Sequence, residues 1–161
     1  MTHRRKNRSA RRKQCDQSSK VSSLVAETET PIQRALKYKI EGNVYFKSKK
    51  YDEAIAEYTK AIDICPKESK DELATFYQNR AAAYEQLKKY SSGKADCAKA
   101  LELNPKYIKA VLCRARILEQ TGNLEAALKD MTTVCIYEGC SPDSLVKVEI
   151  ILKKLGKLHI K

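Results

Sequence analysis

One spacing of small and bulky residues occurs three times in the chain and constrains the fold more than any other feature. In the first copy, a small residue is followed by an aromatic residue, an alanine, a second aromatic residue, another alanine and a proline. The three copies are Gly42, Tyr45, Ala54, Tyr58, Ala61 and Pro66; Ala81, Tyr84, Gly93, Cys97, Ala100 and Pro105; and Ala115, Leu118, Ala127, Met131, Val134 and Gly139. The last copy ends in glycine instead of proline.

This spacing predicts pairs of helices. Small residues such as Gly42 and Ala54 let two helices touch, the aromatic residues fill the space beside them, and Pro66 and Pro105 end the second helix of a pair. The first two copies are 39 residues apart and the next two 34, so we assign the extra five residues to a longer loop at 67–71. Thr30-Pro31 is typical of a helix start. The predicted helices lie near 32–48, 51–65, 70–88, 91–104, 107–120 and 124–138.

A seventh helix is predicted near 142–155. Ser141-Pro142 favours a helix start, and Gly156 favours a stop. Its apolar residues recur at helical spacing, so we expect the helix to cover the open side of the third pair. These residues are Leu145, Val148, Ile151, Leu152 and Leu155.

Much of the formal charge of +12 belongs to the N-terminus. Residues 1–24 carry eight Arg or Lys and one acid, and the rest carries 24 bases and 19 acids. Residues 1–29 contain few large apolar side chains, which predicts a disordered basic tail. The block Arg4–Lys13 is compatible with a solvated tail, with binding to nucleic acid or an anionic membrane, or with a nuclear signal. A mitochondrial presequence needs an apolar face, and Met1 and Ala10 alone would have to supply it.

The residue inventory argues against catalysis and metal binding. None of the six cysteines forms Cys-x-x-Cys, and the two histidines stand at opposite ends of the chain, so we expect neither zinc nor any cofactor. The chain has no Ser/His/Asp or Cys/His set and no glycine-rich phosphate loop, which predicts a protein that is not an enzyme. No apolar run approaches the ~20 residues that span a bilayer. We expect free thiols in a reducing compartment, with Cys65, Cys97 and Cys135 packed and Cys113 more exposed.

The threefold spacing resembles that of the tetratricopeptide repeat (TPR). The resemblance implies an all-α fold in which three TPR hairpins form a right-handed solenoid. The repeats fall at about 35–68, 74–107 and 108–141. With the capping helix at 142–155 they form a predicted domain over 30–157, preceded by the tail at 1–29. The first helix of each repeat lines the concave face of such a stack.

The predicted groove carries cations and amides that packing does not require. Repeats numbered from Ala35, Ala74 and Ile108 place six side chains there. Ammonium and amide groups together hold a carboxylate through charge-assisted hydrogen bonds. The groove therefore predicts an acidic peptide with a free C-terminus as the ligand. The six residues are Lys39, Asn43, Asn79, Lys109, Cys113 and Arg116.

Three motifs resemble the dicarboxylate clamp of TPR co-chaperones, namely Lys39-x-x-Gly42-Asn43, Asn79-Arg80 and Lys109. That clamp binds the Glu-Glu-Val-Asp tails of cytosolic heat-shock chaperones of the seventy- and ninety-kilodalton classes. Other runs resemble the N-terminal clamp domain of the large TPR import receptors of the mitochondrial outer membrane. They are 76–83, 101–110, 134–136 and 152–157.

The resemblance to the import receptors implies an adaptor on the cytosolic face of that membrane, where other translocase subunits are further possible partners. Two alternatives stay open. One is a cytoplasmic co-chaperone or scaffold without an import role. The other is a nucleic-acid-associated protein that acts through the tail.

Three departures from the family pattern affect these expectations. The clamp family has arginine at the Cys113 position, and a thiol cannot replace a bidentate cation. Arg116 lies on the same helical face and is expected to substitute in part, whereas Arg114 is expected to face away. We therefore expect weakened binding of chaperone tails, which Cys113→Arg should tighten. The receptors' N-terminal membrane helix and long C-terminal TPR array have no counterpart in this sequence, and we expect either a fragment or a short paralogue. Arg4–Lys13 would then correspond to the basic segment beside that helix.

Overall fold

The computed structural model of the chain describes residues 29–159, and the side chains of residues 29–156. Regular structure in this part is entirely helical. Three helix pairs pack in succession, and a final helix lies against the last of them. The predicted basic tail lies outside the described residues except for Glu29. The helices are α1 (Pro31–Lys47), α2 (Tyr51–Ile64), α3 (Lys70–Gln86), α4 (Tyr90–Leu103), α5 (Ile108–Gln120), α6 (Leu124–Glu138) and α7 (Pro142–His159).

Both predicted helix starts are confirmed. The Thr30 hydroxyl accepts a hydrogen bond from the Gln33 backbone N–H, and the Gln33 side chain accepts one from the Thr30 N–H, a reciprocal cap that satisfies two free donors. At α7, the Ser141 hydroxyl accepts the backbone N–H of Ser144 at 3.3 Å. The stop predicted at Gly156 is wrong, because α7 continues to His159. Glycine inside a helix costs about 1 kcal/mol but does not end it.

The longer loop predicted at 67–71 is also wrong. The connection from α2 to α3 covers residues 65–69, and the one from α4 to α5 covers 104–107, a difference of one residue. The other extra residues extend the start of α3, which has 17 residues where α5 has 13. The additional length therefore adds a helical turn, because Asp71 and Glu72 favour the N-terminal end of a helix.

Small residues permit the close contacts on which the helix pairs depend. A Cβ atom on Gly42 would lie 2.6 Å from Cε1 of Tyr58, so no larger residue fits beside that ring. Gly93 lies in a similarly close contact with the next pair, where a Cβ atom would lie 2.9 Å from Cδ1 of Ile117 and require that side chain to move. The repeated pattern of small and bulky residues therefore has the packing role that the sequence predicted.

Helix α7 covers the third pair, as expected. Ile151 is 2% exposed and packs into a cluster that includes Leu118 and Met131. Leu145 and Leu152, at the margins of the predicted apolar stripe, stay half exposed. Over residues 29–159, no helix combines the length and hydropathy that crossing a membrane requires.

Candidate functional site

The first helices of the three pairs, α1, α3 and α5, are linked to one another by polar side chains along one face. Asn79 on α3 contacts Asn43 on α1, and Glu85 on α3 contacts Arg116 on α5. This is the face that the sequence predicted to be the groove. We refer to it below as the inner face.

An amide pair joins α1 to α3 on the inner face. Asn79 Nδ2 donates to Asn43 Oδ1 at 3.4 Å, and the Tyr58 hydroxyl of α2 donates to the same oxygen at 2.7 Å. With its oxygen turned toward these two donors, Asn43 is left with its NH2 group for a ligand. Burial raises the pKa of Tyr58 to about 12, so the hydroxyl keeps its proton at neutral pH.

Two of the predicted groove lysines belong to the first helices of their pairs. Lys39 is half-buried and lies one helical turn before Asn43, and Lys109 is exposed in the first turn of α5. Among the described side chains, neither ammonium group takes part in an ion pair. The arrangement offers two free cations and amide donors, which suits an anionic group with several acceptor oxygens.

Arg116 already has an acidic partner. Its Nε and Nη2 atoms donate to the two carboxylate oxygens of Glu85 at 2.8 and 2.9 Å. These hydrogen bonds raise the pKa of Arg116 above its ordinary value. The Arg116 side chain is half exposed, whereas that of Glu85 is 12% exposed. Glu85 was not predicted from the sequence, because no motif or repeat spacing distinguishes it from other surface acids.

Cys113 is fully buried, which corrects the expectation that it is the more exposed thiol. It packs with Ala81, Cys97 and Ile117 at the junction of α3, α4 and α5. Its Sγ atom lies 3.6 Å from Oε2 of Glu85, so the side chain points toward the Glu85–Arg116 pair from beneath. Cys65, Cys97 and Cys135, which the sequence predicted to be packed, are also buried.

Two further arginines lie within the helix pairs and not on the inner face. Arg80 binds Asp96 through two hydrogen bonds of 2.7 and 2.9 Å, and Arg114 binds Asp130 through bonds of 2.8 and 2.7 Å. Arg114 is thus turned toward α6, as expected. Arg80 is directed toward α4 although it follows Asn79 in the clamp motif. Both pairs recur at the 34-residue spacing of the repeats, a signal in the sequence that would have identified them.

No metal site accompanies these groups. Between residues 29 and 156, no three side chains of His, Cys, Asp or Glu come together as potential ligands. The available chemistry is that of ammonium, guanidinium and amide donors.

Two family models match the chain. The model described as "TPR repeat" matches residues 42–88, and the one described as "Tetratricopeptide repeat" matches residues 74–107. Mitochondrial import receptor subunit TOM70 of Rattus norvegicus is 49% identical over 131 residues, which is 81% of this chain and 22% of that receptor. The chain therefore spans about a fifth of the length of this relative.

Two solved structures of isolated TPR domains superpose on nearly their full length. The first TPR domain of Spaghetti (RPAP3), bound to the HSP90 peptide SRMEEVD, is 36% identical with a TM-score of 0.72, and covers 80% of this chain and 98% of that one. The second TPR domain of human RPAP3, in complex with the HSP70 peptide SGPTIEEVD, is 31% identical with a TM-score of 0.67, and covers 75% and 97%.

Proposed function

The chain belongs to the tetratricopeptide-repeat family, and we propose that it is a non-enzymatic adaptor whose inner face binds the acidic C-terminal tails of cytosolic heat-shock chaperones. The observation that carries this proposal is the amide pair of Asn43 and Asn79, which Tyr58 orients. A site with donors and cations selects a ligand rich in carboxylate oxygens.

The amides and the lysines of the inner face have different roles in this proposal. Asn43 and Asn79 donate hydrogen bonds to the terminal carboxylate and the neighbouring peptide groups. Lys39 and Lys109 supply the charge that attracts this carboxylate and the acidic side chain of the last residue. Because the amides are already held in place, binding loses little side-chain entropy at these positions.

Two related domains support both chaperone classes as partners. The RPAP3 domains were solved with an HSP90 peptide and with an HSP70 peptide, and both peptides end in Glu-Glu-Val-Asp. We infer that this chain accepts the same ending. The residues upstream of it then determine the preference between the two classes.

Cys113 and Arg116 make this clamp weaker than one with arginine at position 113. Cys113 is buried and brings no cation to the inner face, and the guanidinium of Arg116 is shared with Glu85. In Cys113→Arg, the new side chain would follow the direction of Sγ toward Glu85 and bring a cation to the inner face. We expect this change to tighten peptide binding, as the sequence analysis predicted.

A role in import into mitochondria is the finer part of the proposal. The 49% identity to the rat TOM70 receptor over most of this chain supports it. The chain would then act on the cytosolic face of the outer membrane, where it could contact other translocase subunits. The alternative is a cytoplasmic co-chaperone that uses the same inner face without delivering preproteins.

Calorimetric titration with SRMEEVD and with the same peptide amidated at its C-terminus tests the binding proposal. We expect the free acid to bind and the amide to bind at least tenfold more weakly, because amidation removes the terminal charge. Asn43→Ala and Lys39→Ala should abolish or strongly weaken binding. Asn123→Ala in a turn and Lys37→Ala on another side of α1 are the matched controls and should not. Equal affinity for acid and amide would contradict the proposal.

The import role needs a separate measurement. Purified chain added to isolated mitochondria should inhibit import of a preprotein delivered by these chaperones, and Asn43→Ala should not inhibit. If the chain binds the peptide but leaves import unchanged, the co-chaperone alternative is favoured.

A further inference from the structure

The C-terminal end of α6 brings two cysteines into one turn. Gly139 and Cys140 both have left-handed backbone conformations, with φ of 77° and 52°. The N–H groups of both residues donate to the carbonyl oxygen of Cys135, at 3.0 and 2.9 Å. The bond from Gly139 is an ordinary helical one. The bond from Cys140 is the long-range bond of a Schellman motif, in which the residue after the glycine normally packs an apolar side chain on the last helical turn. Here both members of that contact are cysteines.

The two cysteines share one turn but differ in access to solvent. The Cys140 thiol points back along the helix, with Sγ 3.6 Å from the carbonyl oxygen of Cys135. Burial, and then a hydrogen bond to the Cys140 thiol, raise the pKa of Cys135. Cys135 is 8% exposed, whereas Cys140 is exposed. A small reagent therefore reaches Cys140 first and finds a second thiol beside it.

A second cysteine pair in the same chain provides an internal comparison. Cys97 on α4 and Cys113 on α5 also interact through their thiols, and both are 0% exposed. The hydrogen bond to Cys113 and burial raise the pKa of Cys97. Because a thiol must be reached by the oxidant before it reacts, this fully buried pair lacks the access that Cys140 has.

We propose that Cys135 and Cys140 form a reversible disulfide in response to peroxide. The Cys140 thiolate attacks one oxygen of hydrogen peroxide, the O–O bond breaks, and Cys140 sulfenic acid and hydroxide form. The hydroxide takes up the proton that the thiol had released and becomes water. The Cys135 sulfur then attacks the Cys140 sulfur and displaces a second water molecule. One peroxide is reduced to two waters while two thiols become one disulfide. Reduction by a small thiol such as glutathione restores both cysteines.

The disulfide would act on the connection to the capping helix. Residues 139–141 are all that separates α6 from α7, and Ser141 caps α7. A covalent ring from Cys135 to Cys140 would hold the turn in its left-handed conformation. The consequence is a more firmly held α7, and this effect is independent of the proposed peptide binding.

A tryptic map makes the proposal directly measurable. Cleavage after Lys129 and Lys147 releases one peptide, 130–147, that contains both Cys135 and Cys140 and no other cysteine. The reduced full-length chain is treated with stoichiometric hydrogen peroxide, alkylated under denaturing conditions and digested. We expect this peptide to be about 2 Da lighter and unalkylated, the signature of a disulfide. Adding glutathione before alkylation should reverse the change.

The other cysteines and two variants serve as controls. Cys97 and Cys113 lie in separate tryptic peptides, and both should remain fully alkylated. Cys97→Ser should leave oxidation of the 130–147 peptide unchanged, and Cys140→Ser should abolish it. Oxidation should also raise the unfolding temperature of the unsubstituted chain but not of Cys140→Ser. Full alkylation of Cys135 and Cys140 after peroxide, accumulation of Cys140 sulfinic acid without a disulfide, or equal loss of Cys97 and Cys113 would each overturn the proposal.

Discussion

The Tyr58 hydroxyl donates a 2.7 Å hydrogen bond to Oδ1 of Asn43 and so connects the core of the first helix pair to the inner face. Tyr58 is 1% exposed, and its ring occupies the space that the absent side chain of Gly42 leaves open. A core residue therefore determines which end of the Asn43 amide faces a ligand.

The substitution Tyr58→Phe tests this relationship. The ring stays in place, but Asn43 loses the bond that holds its amide, so we expect peptide affinity to fall about 3- to 10-fold and stability by about 1 kcal/mol. Titration calorimetry and denaturant unfolding measure the two effects. Tyr45 lies in the same cluster, and its hydroxyl makes no hydrogen bond to the described residues. Tyr45→Phe should therefore leave peptide affinity unchanged. An unaltered affinity in Tyr58→Phe would mean that Tyr58 only packs.

Alkaline pH should destabilise the fold through the same residue. Burial raises the pKa of Tyr58 from 10.0 to about 12, so the folded state holds this proton more tightly than the unfolded state. The resulting stabilisation is complete below pH 10 and declines as the pH rises toward 12, by about 2–3 kcal/mol in total. Denaturant unfolding measured across this range should show the loss. The Tyr58→Phe variant should lack this component.

Glu85→Gln should tighten binding of acidic peptides. The change removes a negative charge from the inner face and releases Arg116 from its ion pair, so we expect a 2- to 10-fold gain in affinity that shrinks with added salt. Titration of SRMEEVD at two salt concentrations measures the effect. Glu149→Gln removes the same charge from an exposed ion pair on α7 and should have little effect. Weaker binding in Glu85→Gln would show that Glu85 supports the site.

The two arginine–aspartate pairs should contribute unequally to the stability of the fold. Removing one partner leaves an uncompensated charge, so Asp96→Ala should cost about 3–5 kcal/mol of stability. Asp130→Ala should cost less, because the Arg114 side chain is 32% exposed and that of Arg80 is 16% exposed. Chemical denaturation ranks the two variants. Asp52→Ala, which breaks an exposed pair, is the control and should cost less than about 1 kcal/mol. A larger loss of stability in Asp130→Ala than in Asp96→Ala would contradict the expectation that the more buried arginine costs more to leave unpaired.

The first repeat lacks this ion pair, and one substitution should create it. Glu41 and Glu57 stand 39 residues before Arg80 and Asp96, the distance between the first two repeats. Oε2 of Glu57 is buried without a hydrogen-bond partner among the described residues. Glu41→Arg should supply one and stabilise the fold by about 1–2 kcal/mol, as thermal or denaturant unfolding would show. Glu68→Arg, the same charge change in a loop, should not stabilise it. If Glu41→Arg and Glu68→Arg change the stability equally, the change comes from net charge and not from a new ion pair with Glu57.

Most of the architecture was predictable from the sequence. The positions of small and bulky residues, together with Pro66 and Pro105, located the six paired helices to within a few residues, and the apolar spacing after Ser141 located the capping helix. The capping residues Thr30 and Ser141 marked two helix starts correctly. Two predictions were wrong, the long loop at 67–71 and the helix end at Gly156. Polar residues and glycine are compatible with a helix end but do not force the helix to stop there.

The candidate site was predictable only in part. Repeat spacing assigned Lys39, Asn43, Asn79 and Lys109 to one face, because helical periodicity determines the direction of a side chain. The partners of those side chains were not predictable. Glu85 and Tyr58 reach the inner-face residues from other helices, and Cys113 is covered by its neighbours.

The sequence by itself determined the helices and their pairing, since these follow from local spacing and chain connectivity. Only the tertiary structure decided that Arg116 is paired, that Cys113 is buried and that Asn43 is held by Tyr58. Hydrogen bonds and burial depend on distances of a few ångströms between atoms far apart in sequence, and those distances exist only after the helices have packed.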